Sequence, residues 1–153
     1  MWDNCLRIFY ILVSETLCPY RTQSIIRSIG AVMIRILYVD DSREILDIGK
    51  ALLEMNPDFR VDITLSSTNA LTLLKQNTYH VIISDYFMPD NDGIVFLKQV
   101  RKYNKTIPFI VFTGRGDEST VIEALNSGAD FYLKKGPEVR TLFTEISQII
   151  HIL

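Results

Sequence analysis

Residues 33–153 predict one α/β domain, a parallel sheet covered by helices on both faces. Two periods alternate along this stretch: short apolar runs, and segments whose apolar residues recur at helical spacing. Three of the runs are nearly continuous in Ile, Val, Leu and Phe, as strands buried on both faces must be. Turn and cap residues separate the two kinds of segment. Five strands alternating with five helices in about 120 residues make one α/β domain with a parallel sheet.

The elements follow in order. The first run is IRILYV (34–39), and the first helical stripe is Ile45, Ile48, Leu52 and Leu53, with Pro57 after it. RVDITL (60–65) is the second strand, followed by a helix on Ala70, Leu71 and Leu74. HVIIS (80–84) is the third, and Asn91 or Asp92 can cap the helix carrying Ile94, Leu97 and Val100. PFIVF (108–112) is the fourth, and its helix shows Val121, Ala124 and Leu125. Gly128 then sits where a helix end needs positive φ. DFYL (130–133) is the fifth strand, and Leu142, Phe143, Ile146, Ile149 and Ile150 stripe the last helix. No repeat or low-complexity segment interrupts the pattern.

The 153 residues carry a net charge of −2 with 48% hydrophobic and 22% charged residues, ordinary for one globular domain. No basic field points to nucleic acid, and no cationic cluster points to a membrane surface. The longest apolar runs fall far below the roughly 18 residues of a spanning helix. Cys5 and Cys18 are both in the leading stretch and the remainder has none, which fits a reducing cytoplasm, the expected location. LRIFYILV (6–13) is short, carries Arg7 and follows Asp3, a poor signal peptide. Residues 1–32 stand outside the alternation. They read as a leader or over-extended start ahead of Met33, with a helix over 4–13 docking on the domain as the rival reading.

Ligands of such sheets bind outside the carboxyl ends of the strands. Asp40 and Asp41 follow the first strand, Asp85 the third, Thr113 the fourth, and Lys134 and Lys135 the fifth. The stretch VIISDYFMPDNDG (81–93) is a buried run that stops on a charge. Three carboxylates at one edge repel, and each raises the others' pKa unless a cation neutralises them. One lysine is insufficient. An oxygen-only site with no Cys or His nearby suits a hard ion that keeps several waters, Mg²⁺ rather than zinc. A carboxylate beside Mg²⁺ can act as a nucleophile on phosphorus. The transferred phosphoryl group then needs positive charge and donors, which a lysine and a threonine hydroxyl supply.

These residues resemble the receiver domain of response regulators, the CheY-like family of two-component signalling. LYVDDS (37–42), ISDYFMPDNDG (83–93), IVFTG (110–114) and GADFYLKKG (128–136) carry the resemblance in family order and spacing. It covers about four-fifths of the chain, from about Ile34 onward, and the wording is most similar to receivers of methanogenic archaea. The resemblance implies a flavodoxin-like, doubly wound (βα)5 fold with strand order 2-1-3-4-5. It makes Asp85 the phosphoacceptor, Asp41 the direct Mg²⁺ ligand, Asp40 an assistant through water, and the Phe87 backbone carbonyl the third protein ligand. Thr113 becomes the switch hydroxyl and Tyr132 the aromatic that changes rotamer with it. The family's Tyr-x-x-Lys spacing selects Lys135, and strand alternation agrees by placing Lys135 on the face of Phe131 and Leu133. Phe87 and Arg115, two positions beyond Asp85 and Thr113, flank the path of the attacking water and would tune dephosphorylation.

The implied function is a stand-alone phosphorylation switch and not an enzyme. It takes a phosphoryl group from a histidine kinase or small phosphodonor and alters a protein-binding face on helix 4 (about 117–127), strand 5 and helix 5 (about 138–151). A monomer or weak homodimer is expected, with output through protein contacts. An aspartate-based phosphatase would need Asp-x-Asp at the first strand, where Asp40 and Asp41 are adjacent. A flavin binder would need hydroxyls and amides in that doubly acidic loop. A docking module that is never phosphorylated would lack one of Asp85, Thr113 or Lys135. Plainer readings suit other residues: Asp90 and Asp92 cap and solvate the turn after Pro89, His80 and His151 lie at the surface, Lys134 is a solvated charge, and Phe109, Phe112 and Phe131 are core.

Overall fold

The computed structural model describes residues 32–89, 92–114 and 116–153. The expectations for the leader, Asp90, Asn91 and Arg115 lie outside the described residues. Strands and helices alternate as β1 (Ile34–Val39), α1 (Arg43–Leu53), β2 (Phe59–Thr64), α2 (Ser67–Gln76), β3 (Val81–Ser84), α3 (Gly93–Tyr103), β4 (Phe109–Thr113), α4 (Glu118–Asn126), β5 (Phe131–Lys134) and α5 (Val139–Ile152). The strands form one parallel sheet in the order β2-β1-β3-β4-β5. Small shifts at strand starts have local reasons. β4 begins after Pro108, which has no N–H to give the ladder. β5 begins after Asp130, whose carboxylate is taken by Arg101 and the Phe109 N–H.

The sheet separates two apolar cores. Leu37, Val39, Ile82, Phe109 and Val111 face α2, α3 and α4, packing with Ala70, Leu97 and Ala124. Ile36, Tyr38, Ile83, Ile110 and Phe112 face α1 and α5, packing with Leu46, Leu53, Phe143 and Ile146. Here the expected stripe of α1 is corrected. The helix buries Leu46, Gly49 and Leu53, and Ile48 is 50% exposed. The Tyr38 and Phe143 rings lie so close over Gly49 that only a residue without a side chain fits beneath them, which fixes the rotation of α1. Leu125 is likewise partly in solvent, since α4 buries only Thr120 and Ala124.

Helix ends are satisfied by side chains. Ser42, Ser66, Asp92 and Asp117 each accept a backbone N–H at the start of α1, α2, α3 and α4, at about 1 kcal/mol apiece. Gly128 takes φ +100 after α4, as its position requires. At the N-terminal edge of the sheet the Arg101 guanidinium donates to the carbonyls of Gly128 (3.0 Å) and Ile107 (2.7 Å) and to Asp130 (2.9 Å). Asp62 accepts from Arg35 at 2.7 Å and from the Tyr79 hydroxyl at 2.8 Å. Among the described residues no helix is long and apolar enough to cross a membrane.

Candidate functional site

Register places the site. Val39 pairs with Ser84 and Ser84 with Val111, so the residues after β1 and β3 leave the sheet side by side. Ladder bonds continue one step past the strands: Asp85 N donates to Val39 O at 2.8 Å and Lys135 N to Thr113 O at 2.8 Å. Asp40 N reaches Thr64 O at 3.2 Å. Asp40, Asp85, Thr113 and Lys135 are thereby held by sheet hydrogen bonds and not by a loose loop. The Asp40 carboxylate in turn accepts Ser42 N at 2.9 Å, and the Ser42 hydroxyl caps α1.

Asp40 is fully buried, Asp85 and Thr113 nearly so, and Asp41 exposed. Each of Asp40, Asp41 and Asp85 offers a carboxylate oxygen within 4.8 Å of the others. Lys135 Nζ lies 2.5 Å from Asp40 Oδ2 and 3.4 Å from Asp85 Oδ1. Lys134 is exposed, as expected of the lysine on the opposite strand face. Thr113 Oγ1 and the Tyr86 N–H donate to the Asp85 carboxylate. Burial pushes the Asp85 pKa up, Lys135 opposes the rise, and the charge of Asp40 adds to it. Asp85 Oδ1 is buried and accepts no hydrogen bond among the described residues, because the ammonium 3.4 Å away is an ion pair without bonding geometry. An unclaimed buried acceptor costs about 1–3 kcal/mol. Three carboxylates, one of whose oxygens accepts no hydrogen bond among the described residues, are a donor set that fits a hard divalent cation.

Two of the remaining predicted residues, Tyr132 and Phe87, belong to β5 and to the loop after β3. Tyr132 is half-buried, and its hydroxyl sits against Gly116 in the loop after β4, in contact range of where a side chain at 116 would be. Burial and the charges of Asp117 and Asp85 raise its pKa. Phe87 is 43% exposed, and its ring packs on Tyr86 at 4.6 Å between centroids. His80 accepts Arg35 N through Nδ1 at 3.0 Å, and His151 lies by Asn56, so both are the surface histidines expected.

Three further residues shape the site, and of these only Gly93 carries a sequence signal of its own. Gly93 opens α3 directly against the backbone of Asp85 and Tyr86, where a Cβ would overlap the Asp85 carbonyl and come to 2.9 Å from Tyr86 Cα. Its N–H donates to Tyr86 O at 2.7 Å. A glycine at the first position of a helix, a poor helix former, was the available hint. The Tyr86 hydroxyl donates to Glu123 on α4 at 2.9 Å, tying the residue after Asp85 to that helix. Tyr38 lies fully buried on the Asp40 side of the sheet, and burial with the Asp40 and Asp85 charges drives its pKa far up.

Known proteins are similar to this chain in sequence and fold. The family model of the response regulator receiver domain matches residues 36–147. Response regulator SaeR of Staphylococcus aureus is 33% identical over 118 residues, 77% of this chain and 51% of that protein. The chain therefore spans about half the length of that relative. Among solved structures, the CheY-like receiver domain protein of Methanospirillum hungatei JF-1 is 28% identical at a TM-score of 0.71, covering 78% of this chain and 95% of that one. TrrA of Thermotoga maritima, solved in complex with Mg²⁺ and BeF, is 25% identical at 0.67, covering 76% and 99%. With the same fold, strand order and sequence family, the chain belongs to the response-regulator receiver domains of two-component signalling.

Proposed function

We propose that this receiver accepts a phosphoryl group on Asp85 from a histidine kinase in a Mg²⁺-dependent reaction, and that the phosphoryl group alters a protein-binding face formed by α4, β5 and α5. The observation that carries the reading is the buried, under-compensated Asp85 carboxylate, with an oxygen that accepts no hydrogen bond among the described residues, beside Asp40, Asp41 and Lys135. An Asp85 oxygen attacks phosphorus; a P–O bond forms as the P–N bond to the kinase imidazole breaks, and the electron pair leaves with the imidazole nitrogen. Asp41, Asp85 and the Phe87 backbone carbonyl would hold Mg²⁺, with Asp40 assisting. When bound, the ion neutralises charge on the carboxylates and the phosphoryl oxygens. Lys135 already touches both Asp40 and Asp85, so it is placed to transfer its contact to a phosphoryl oxygen without leaving the site. The complex of the Thermotoga relative with Mg²⁺ and BeF supports the cation requirement.

Readout runs through the loop after β4. The Thr113 hydroxyl now donates to Asp85 and would follow the phosphoryl group, and the loop it begins carries Gly116 against the Tyr132 hydroxyl. A shift of Thr113 therefore changes the room available to Tyr132. The face beside it leaves Ile122, Leu125 and Val139 partly in solvent, apolar area that a protein target can cover. The protein acts as a switch and not as an enzyme, gaining and losing its own phosphoryl group in the cytoplasm where its kinase delivers it. The deciding experiment is the intact mass after Mg²⁺ and acetyl phosphate. One added phosphoryl group, absent without Mg²⁺ and absent in Asp85→Ala, supports the reading; labelling that survives Asp85→Ala overturns it.

A further inference from the structure

A cleft of about 370 Å³ opens between α2 and α3, at the opposite edge of the sheet from Asp85. Leu71, Leu74, Tyr79, Val100, Tyr103 and Ile107 give it apolar walls and floor. Its volume is that of a ligand pocket or of a seat for one or two large side chains. Tyr79, Val100 and Ile107 are buried core residues, whereas Tyr103 stands 81% exposed on the rim. A rigid tyrosine beside an apolar depression is a common anchor of protein contacts.

The charged side chains of the two helices beside the cleft are of one sign. Residues 65–80 contain Lys75 and no acid, and residues 93–107 contain Lys98, Arg101, Lys102 and Lys105 and no acid. In a chain of net charge −2 this is a local reversal. The acids packed nearest, Asp62 and Asp130, are already held by Arg35 and Arg101. Lys75, Lys98, Lys102 and Lys105 are exposed and form no ion pair with a described residue. Lys75 lines the cleft; the other three lie beyond it on α3 and the turn that follows. A ligand small enough to sit inside would not meet them. A flat bilayer would meet the lysines but not the recessed floor. An extended acidic chain with an apolar side chain reaches both.

We propose that the α2–α3 cleft docks an acidic segment of a partner protein, its apolar side chain in the cleft and its carboxylates on Lys75 and the lysines of α3 and the turn after it. This surface is separate from the α4–β5–α5 face and does not depend on phosphorylation of Asp85. The test is an NMR titration of the full chain with a short peptide alternating glutamate with leucine and tryptophan. Expected are saturable shifts at Leu74, Val100 and Tyr103 that weaken with added salt. Affinity should fall at least about fivefold in Tyr103→Ala and in Lys75→Glu, both exposed positions that leave the core intact, and stay unchanged in Lys134→Glu on β5. Four results overturn the proposal: no shifts in the cleft; equal binding of a peptide with lysine in place of glutamate; binding of decanoate but not of the peptide; or binding of phosphatidylglycerol vesicles without it.

Discussion

Toward the N-terminal edge of the sheet Arg35 and Arg101 each meet an aspartate, whereas at the C-terminal edge three carboxylates share one ammonium among the described residues. Arg101 meets Asp130 and two carbonyls, and Arg35 and Tyr79 meet Asp62. Asp40, Asp41 and Asp85 have Lys135 between them, and a buried oxygen of Asp85 accepts nothing from the described residues. The first edge uses charge to fix strands and loops in place. The second keeps charge uncompensated inside a rigid frame, which favours an incoming cation and phosphoryl group. The same residue types thus serve stability at one end and chemistry at the other, according to whether their partners belong to the fold.

The largest effect should come from breaking the unsatisfied edge. Asp85→Ala should abolish labelling by acetyl phosphate, and Asp41→Ala should do the same although Asp41 is exposed and makes no fold contact of note. Stability in urea should remain within about 0.5 kcal/mol for Asp41→Ala, because an exposed carboxylate among like charges adds little to folding. Normal labelling of Asp41→Ala would remove it from the site. The satisfied edge should respond the other way. Arg101→Ala removes the donor to the carbonyls of Gly128, Asn104 and Ile107 and the cation beside Asp130, which among the described residues keeps only the Phe109 N–H, and should cost about 3 kcal/mol in denaturant unfolding. Its labelling rate, measured where the variant is folded, should match the parent.

How far these edges could be read in advance depended on sequence distance. The strands and helices were legible because their periods are local, and Lys135 separated from Lys134 because alternation is local too. The strand order came only with the family resemblance, since apolar runs do not name their neighbours. The rotation of α1 escaped notice because Gly49 looks like a gap in a stripe; its meaning lies in Tyr38 and Phe143, which only the fold brings over it. The Tyr86–Glu123 bond joins residues 37 apart, and the arginine forks join Arg101 to Asp130 across 29. Such pairs carry no spacing that a sequence displays.

A smaller effect tests whether the unsatisfied edge reports outward. Thr113→Ala removes a buried donor to Asp85, a bond to a charged acceptor in the range of about 1.5–3 kcal/mol. Phosphorylation should continue, because Asp41, Asp85 and Lys135 remain. The chemical-shift response of Tyr132 and α4 to phosphorylation should be largely lost. Full retention of that response would mean that the signal leaves by another route, for which Tyr86 and its bond to Glu123 are placed, and Tyr86→Phe would then be the variant that loses it.

The smallest expected effect concerns how long the phosphoryl group stays. Phe87 lies two residues beyond Asp85, with its ring against Tyr86 and 43% of its surface in solvent. It has no group with which to orient water. If the ring covers the phosphorylated carboxylate, water reaches the phosphorus poorly aligned for in-line attack, and loss is slow. Phe87→Asn supplies a donor and an acceptor in a smaller side chain, and should speed decay by roughly tenfold, about 1.4 kcal/mol of barrier. Phe87→Leu separates the two causes. It keeps apolar bulk without hydrogen-bonding capacity, so decay should stay near the parent rate if shielding governs. Decay followed by intact mass after removal of acetyl phosphate measures all three proteins. Unchanged or slower loss in Phe87→Asn would show that the ring stays on Tyr86 and leaves the phosphoryl group open, so the lifetime is set elsewhere.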